Sequence, residues 1–230
     1  MRRMRMVAGM RYLRGPVKLV GLGGGIGAGK SSVSERCKAK GAVIVDADLI
    51  AREVVEPTGP AYPGLVQRFG EGVLREDRTL NRAALASIVF NDADALADLN
   101  KITHPAINAE IARRVIAESG SGAVVILDAA LLFVIPVKMV AKVVVDVEPE
   151  IAVARLVAHR GFSEEDAWAR IRSQMSREER IAQSDRVVDN SGTPEDLDAE
   201  VERLWAWIST LPESGPNPVD DSGEAAPVAT

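Results

Sequence analysis

Eight residues, Gly24-Gly25-Ile26-Gly27-Ala28-Gly29-Lys30-Ser31, constrain this chain more than any others. They satisfy G-x-x-x-x-G-K-[ST], and they lie between an apolar run, Val17 to Leu22, that reads as a buried strand and a segment, Lys30 to Lys40, that reads as a helix. Glycines let backbone N–H groups converge on phosphate oxygens without a Cβ in the way, and the helix N-terminus adds partial positive charge. The loop from Gly25 through Ile26, Gly27, Ala28, Gly29, Lys30, Ser31 and Ser32 is therefore expected to bind ATP. Lys30 would bridge the β- and γ-phosphates, and the Ser31 hydroxyl is a ligand suited to Mg²⁺, a hard cation that shares its shell with phosphate and water. A dinucleotide site is disfavoured: starting from Gly25 and Gly27, the third glycine of G-x-G-x-x-G would fall on Lys30.

The strand, loop and helix are followed by a second strand, Ala42 to Asp46, which completes a βαβ unit. Apolar, β-branched runs at Ala123 to Leu127, Lys142 to Val147 and Arg186 to Val188 supply three more strands, so the expected fold is α/β with a five-stranded parallel sheet flanked by helices. Pro149 suits the first turn of a helix over Glu150 to Arg160, which Gly161 stops. Ser163 and Asp166 form a capping-box pattern for a further helix running to about Ala182. Between Val55 and Gly120 the periodicity is helical, which marks an insertion between the second and third strands. The expected divisions are a nucleotide-binding core of 17–55, 121–150 and 184–210, a helical insertion of 56–120 and a helical lid of 151–183. They leave a basic N-terminal extension of 1–16 and a solvated tail of 211–230, both expected to be unstructured. The extension is Arg-rich and free of acids, as transit peptides are, yet lacks the apolar stretch of a secretory signal; a frayed or misassigned start is the preferred reading.

Aromatic residues make up only 4% of the chain, so its core must be built from Val, Ile, Leu and Ala. The net charge of -5 provides no overall attraction for nucleic acid or an anionic membrane. Cys37 is the one cysteine, which rules out an intrachain disulfide and a multi-thiolate zinc site and suits the cytoplasm.

In an open α/β sheet ligands gather at the carboxyl ends of the strands. Asp46 and Asp48 follow the second strand, and Asp48 is the preferred base for an attacking hydroxyl, with helix capping as the alternative for both. Asp128 ends the third strand, where a carboxylate can hold Mg²⁺ directly or through water, or can simply be solvated. Arg155, Arg160, Arg177 and Arg180 lie on the two helices around Gly161, where guanidinium groups on a closing lid could stabilise a transferring phosphoryl group. Solvated helix faces, with Glu178 and Glu179 as ion-pair partners, are the competing reading. A GTPase is disfavoured, because Asn100-Lys101-Ile102-Thr103 ends in threonine where guanine recognition would need aspartate.

The phosphate loop together with Asp46-Ala47-Asp48-Leu49-Ile50-Ala51-Arg52 and Val54-Val55-Glu56-Pro57 resembles the opening of dephospho-CoA kinases. Arg82-Ala83-Ala84-Leu85-Ala86 and Leu99-Asn100-Lys101-Ile102-Thr103-His104-Pro105 resemble that family's helical CoA-binding region. Arg155, Arg160, Gln174, Arg177 and Arg180 fall in its lid pattern, and Val187-Val188-Asp189-Asn190 resembles its ending near adenine. The resemblance spans about Val17 to Trp207. It implies a P-loop kinase fold and transfer of the ATP γ-phosphate to the ribose 3′-hydroxyl of dephospho-CoA, the last step of coenzyme A synthesis. It also implies Lys30, Asp48 and Arg155 as catalytic residues, Asp48, Arg82 and His104 at the acceptor, and Asn190 near adenine. His104 has a second reading, an interior histidine fixing a helix before Pro105. One stretch departs from the pattern: where the family reads P-L-L, an apolar residue and Glu, this chain has Ala130-Leu131-Leu132-Phe133-Val134, so the turn after the third strand could be rebuilt and activity reduced. The alternatives are another P-loop small-molecule or nucleotide kinase, or an ATP-binding regulatory protein whose altered turn has removed catalysis.

Overall fold

The computed structural model describes residues 17–118 and 121–214. The expectations for 1–16 and for 215–230 lie outside those residues. Five strands, β1 (Lys18–Gly24), β2 (Val43–Asp46), β3 (Val124–Asp128), β4 (Ala141–Asp146) and β5 (Arg186–Asp189), form one all-parallel sheet in the order β2-β3-β1-β4-β5. The five-stranded parallel expectation therefore holds, with ends moved by one or two residues; β4 stops at Asp146 rather than Val147. β1 is central because it is apolar on both faces, and it pairs with β3 from Lys18↔Val124 to Leu22↔Asp128 and with β4 from Val20↔Ala141 to Gly24↔Val145.

Contacts divide the described residues into two compact units, 17–45 with 114–214, and 46–113. In the first, α1 (Lys30–Ala39) and α9 (Pro194–Thr210) bury Val33, Cys37, Val201, Leu204 and Ile208 in one aliphatic cluster with Val20, Leu22, Ile126 and Val143 of the sheet. Burial pushes the Cys37 thiol up to about 11, so it is a neutral part of the core. α9 starts with a complete capping box between Thr193 and Asp196. The first residues of the expected tail, 211–214, run beside β1: Leu19 N–H donates to Ser214 Oγ at 2.9 Å and Ser214 N–H donates to the Val17 carbonyl at 2.7 Å.

α6 (Pro149–Arg160) begins with proline at its first position and ends at Gly161 in the left-handed conformation, as the sequence signals predict. Ser163 caps α7 (Glu164–Arg172) by accepting the Asp166 N–H. The single helix expected to reach Ala182 is instead two, because α7 stops at Arg172 and α8 (Arg177–Ala182) starts anew. The physical reason is a full capping box at Ser176 and Glu179, which satisfies free amides at a second N-terminus.

The second unit is helical: α2 (Ala47–Glu53), α3 (Tyr62–Phe69), α4 (Arg82–Val89) and most of α5 (Ala93–Ala117), with a short 3₁₀ turn at Glu71–Val73. Among its described residues the only pairing of strand type is an antiparallel bridge, Leu74↔Leu80, closed by a turn in which Arg78 has φ 69°. Helical content is thus as expected for this stretch, although the compact unit begins and ends earlier than 56–120. Pro105 lies inside α5, where it removes one backbone donor.

Candidate functional site

The phosphate loop is shaped by two left-handed glycines. Gly27 has φ 79° and Gly29 φ 83°, and Gly29 is the residue preceding α1, so the loop turns directly into a helix N-terminus. A Cβ on Gly27 would lie 2.9 Å from the Ala152 carbonyl oxygen of α6, so the backbone itself would have to move. Gly27→Ala is expected to destabilise the fold by at least about 1–2 kcal/mol, from the left-handed penalty alone. A thermal melt should show Tm lower by about 2–8 °C for a chain of this size.

Lys30 forms an ion pair with Asp128 at the end of β3, and the hydroxyl of Ser34 donates to the other oxygen of the same carboxylate. Asp128 is buried, so removing either partner would leave an uncompensated charge away from water. The strand-end carboxylate expected at a metal is therefore tied to the loop lysine and to Ser34. Ser34 was not singled out from the sequence. It lies on the helix turn after Ser31, and that spacing was the available signal. Ser31 itself is exposed at the first turn of α1.

The other side of the loop is held by the segment after β5. Asn190 is buried, its side-chain N–H donates to the Ala28 carbonyl at 2.7 Å, and its own carbonyl accepts from Arg155 Nη2 at 2.8 Å. The second guanidinium nitrogen of Arg155, Nη1, is buried without a hydrogen-bond partner and would lie 3.7 Å from a Cβ on Gly29. A buried donor left open beside a phosphate loop is a ready acceptor of an anion.

The segment around α7 and α8 supplies a third wall. Gln174 accepts the Ile26 N–H at 2.9 Å. Arg180 Nη1 donates to the Met175 carbonyl, Nη2 would lie 2.8 Å from a Cβ on Gly25, and Nε is buried without a hydrogen-bond partner. Burial pulls the Arg180 guanidinium below its usual range, against the opposing pull of Asp146 and Glu178. Between this wall and the loop is a cavity of about 460 Å³ lined by Gly25, Ala28, Val147, Trp168, Gln174 and Arg180 among others.

Not every predicted residue joins this cluster. Arg177 turns to Asp146 and Glu148, with Nε donating to both Asp146 oxygens at 3.0 Å. Asp146 is a further acidic strand end that sequence reasoning passed over, although its position matched that of Asp46 and Asp128. Arg160 is exposed at the last position of α6.

In the second unit, Asp46 caps α2 by accepting the Leu49 N–H at 2.8 Å, and exposed Asp48 lies in the first turn of that helix. Capping thus falls to Asp46. Arg82 opens α4 and reaches the Arg52 carbonyl at 3.4 Å. His104 is exposed on α5 beside Pro105, so the reading of an interior histidine is corrected: helical phase turns position 104 outward while Thr103 is buried. The turn that departs from the family pattern is a short 3₁₀ helix, Leu132–Val134, with Leu132 buried close above Gly21 and Gly23 and with Leu131 and Val134 exposed. Among the described residues no group of three or more His, Cys, Asp or Glu side chains could hold a metal ion, and no helix is long and apolar enough to cross a membrane.

Comparison with known proteins agrees with this geometry. The family model described as dephospho-CoA kinase matches residues 18–196. A dephospho-CoA kinase of Thermobifida fusca is 47% identical over 188 residues, covering 81% of this chain and 94% of the relative. One from Corynebacterium efficiens is 46% identical over 194 residues, covering 83% and 97%. Among solved structures, TT1252 from Thermus thermophilus superposes with a TM-score of 0.73 at 30% identity, covering 84% of this chain and 98% of that one. With a phosphate loop at the head of α1, carboxylates at the strand ends and matches at this level across nearly all the described residues, the chain belongs to the dephospho-CoA kinase family of ATP-dependent kinases.

Proposed function

We propose that the protein transfers the γ-phosphoryl group of ATP to the ribose 3′-hydroxyl of dephospho-CoA in the cytoplasm, yielding ADP and coenzyme A. The observation that carries this reading is the convergence of Lys30, Arg155 Nη1 and Arg180 Nε on one glycine loop, the last two being buried donors without hydrogen-bond partners. Phosphoryl transfer needs little covalent help from a protein and much charge stabilisation, which such donors supply. The acceptor comes from the family and from relatives named for that activity.

In this mechanism Lys30 exchanges Asp128 for the β- and γ-phosphate oxygens. Asp48 accepts the proton of the 3′-hydroxyl as its oxygen bonds to the γ-phosphorus and the bond to ADP breaks. Arg155 and Arg180 neutralise charge on the transferring group, Arg82 and His104 bind the acceptor, and Asn190 shapes the nucleotide side of the loop. The donor set fits Mg²⁺: the exposed Ser31 hydroxyl and the Asp128 carboxylate are hard oxygens that would hold it. When bound, the cation neutralises charge on the β- and γ-oxygens.

An ADP-release assay with ATP and Mg²⁺ tests this reading. Release should be strong with dephospho-CoA and at background with shikimate or nucleoside monophosphates. Equal release with one of those acceptors would indicate a different kinase, and release no higher than that of Lys30→Met would leave an ATP-binding protein without turnover.

A further inference from the structure

α8 is a six-residue helix with no buried residue, too short to persist by itself and without an apolar anchor of its own. Its place is set by polar ties. The Ser176 capping box starts it, and the segment before it is pinned where Gln174 accepts the Ile26 N–H. Its strongest tie is Arg177. The Nε of that guanidinium donates to Oδ1 and Oδ2 of Asp146 at 3.0 Å each, Nη2 donates to Oδ2 at 2.8 Å, and Nη1 donates to Glu148 at 2.8 Å. The Asp146 side chain is only 9% exposed and that of Arg177 28%, so water screens the pair far less than a surface ion pair.

Arg177 and Arg180 are three apart on one helix and thus neighbours, yet their environments differ. The carboxylates already satisfy Arg177. Arg180 instead lies over Gly25 with a buried Nε that has no hydrogen-bond partner. We propose that Asp146 is a positioning residue for phosphoryl transfer: by gripping Arg177 from the end of β4 it fixes α8, and so holds Arg180 over the phosphate loop. Arg177 is then the handle of the lid rather than a group that touches phosphate. This deepens the function proposed above and rests on it for its kinetic readout.

The test is a double-mutant cycle of Asp146→Asn and Arg177→Gln, with kcat and KM for ATP measured at saturating dephospho-CoA. Each single change should lower kcat/KM by about tenfold, within the range of coupled buried pairs, and the double variant should fall no further than the worse single. Arg177→Lys should behave like Arg177→Gln, because it keeps the charge and loses the fork. Losses that multiply in the double variant, or a Lys variant with wild-type kinetics, would overturn the proposal. Limited trypsin digestion, run well below the melting transitions of both proteins, supplies a readout independent of turnover: cleavage after Arg172, between α7 and α8, should be several-fold faster in Asp146→Asn than in the wild type. If the wild type fails to phosphorylate dephospho-CoA, the proposed function falls while this digestion still decides the latch, an unchanged cleavage rate sinking it.

Discussion

Lys30→Met is expected to lower kcat by about 30- to 1,000-fold, the equivalent of about 2–4 kcal/mol of transition-state stabilisation, in line with the loss of one preorganised charge-stabilising donor. In the proposed mechanism Lys30 is the cation at the transferring group, and methionine keeps its length without its charge. The same substitution takes the cation from buried Asp128, leaving the Ser34 hydroxyl bond, so stability should fall as well. The two effects separate experimentally. Adding Asp128→Asn removes the stranded charge and should recover much of the lost Tm, while kcat stays low. Recovery of both together would mean that Lys30 acts only through the fold.

Asp48→Asn carries the second large effect. A positioned general base is worth about 10²- to 10⁴-fold, so kcat should drop by at least about a hundredfold with KM for ATP little changed. Asp48 is exposed in the first turn of α2, where the lost helix-dipole interaction costs only about 0.3–1 kcal/mol. Asp46→Ala should do the reverse, removing the cap on Leu49 at a cost of about 1 kcal/mol while sparing the chemistry. Steady-state kinetics and thermal melts on this pair distinguish base from cap. An Asp48→Asn variant with wild-type kcat would assign the base elsewhere.

The strands and the phosphate loop were legible in the sequence because each is a local signal. Short Val-rich runs bounded by turn residues favour buried parallel strands over helices, and glycines followed by Lys-Ser at a strand–helix junction leave few alternatives. Partner choice was not local. Nothing near Asp128 indicates that Lys30, 98 residues away, and Ser34 would both reach it, and nothing near Asn190 indicates that its side chain would brace Ala28. The lid shows a different failure. Helical periodicity continues across 173–176, and it outweighed the Ser176-x-x-Glu179 signature that starts α8. Arg177 and Arg180 read alike in sequence as lid arginines, and only the burial of Asp146 beneath one of them tells them apart. His104 was ambiguous for the same reason, since a residue before a helical proline can face either way until the long helix sets its phase.

Which hydroxyl receives the phosphate is decided by the identity of the product. After incubation with ATP, Mg²⁺ and dephospho-CoA, the product should co-elute with coenzyme A, and a 3′-nucleotidase should return it to dephospho-CoA. A phosphorylated product that resists that enzyme, or ADP formed with no phosphorylated acceptor at all, would contradict transfer to the 3′-hydroxyl of dephospho-CoA.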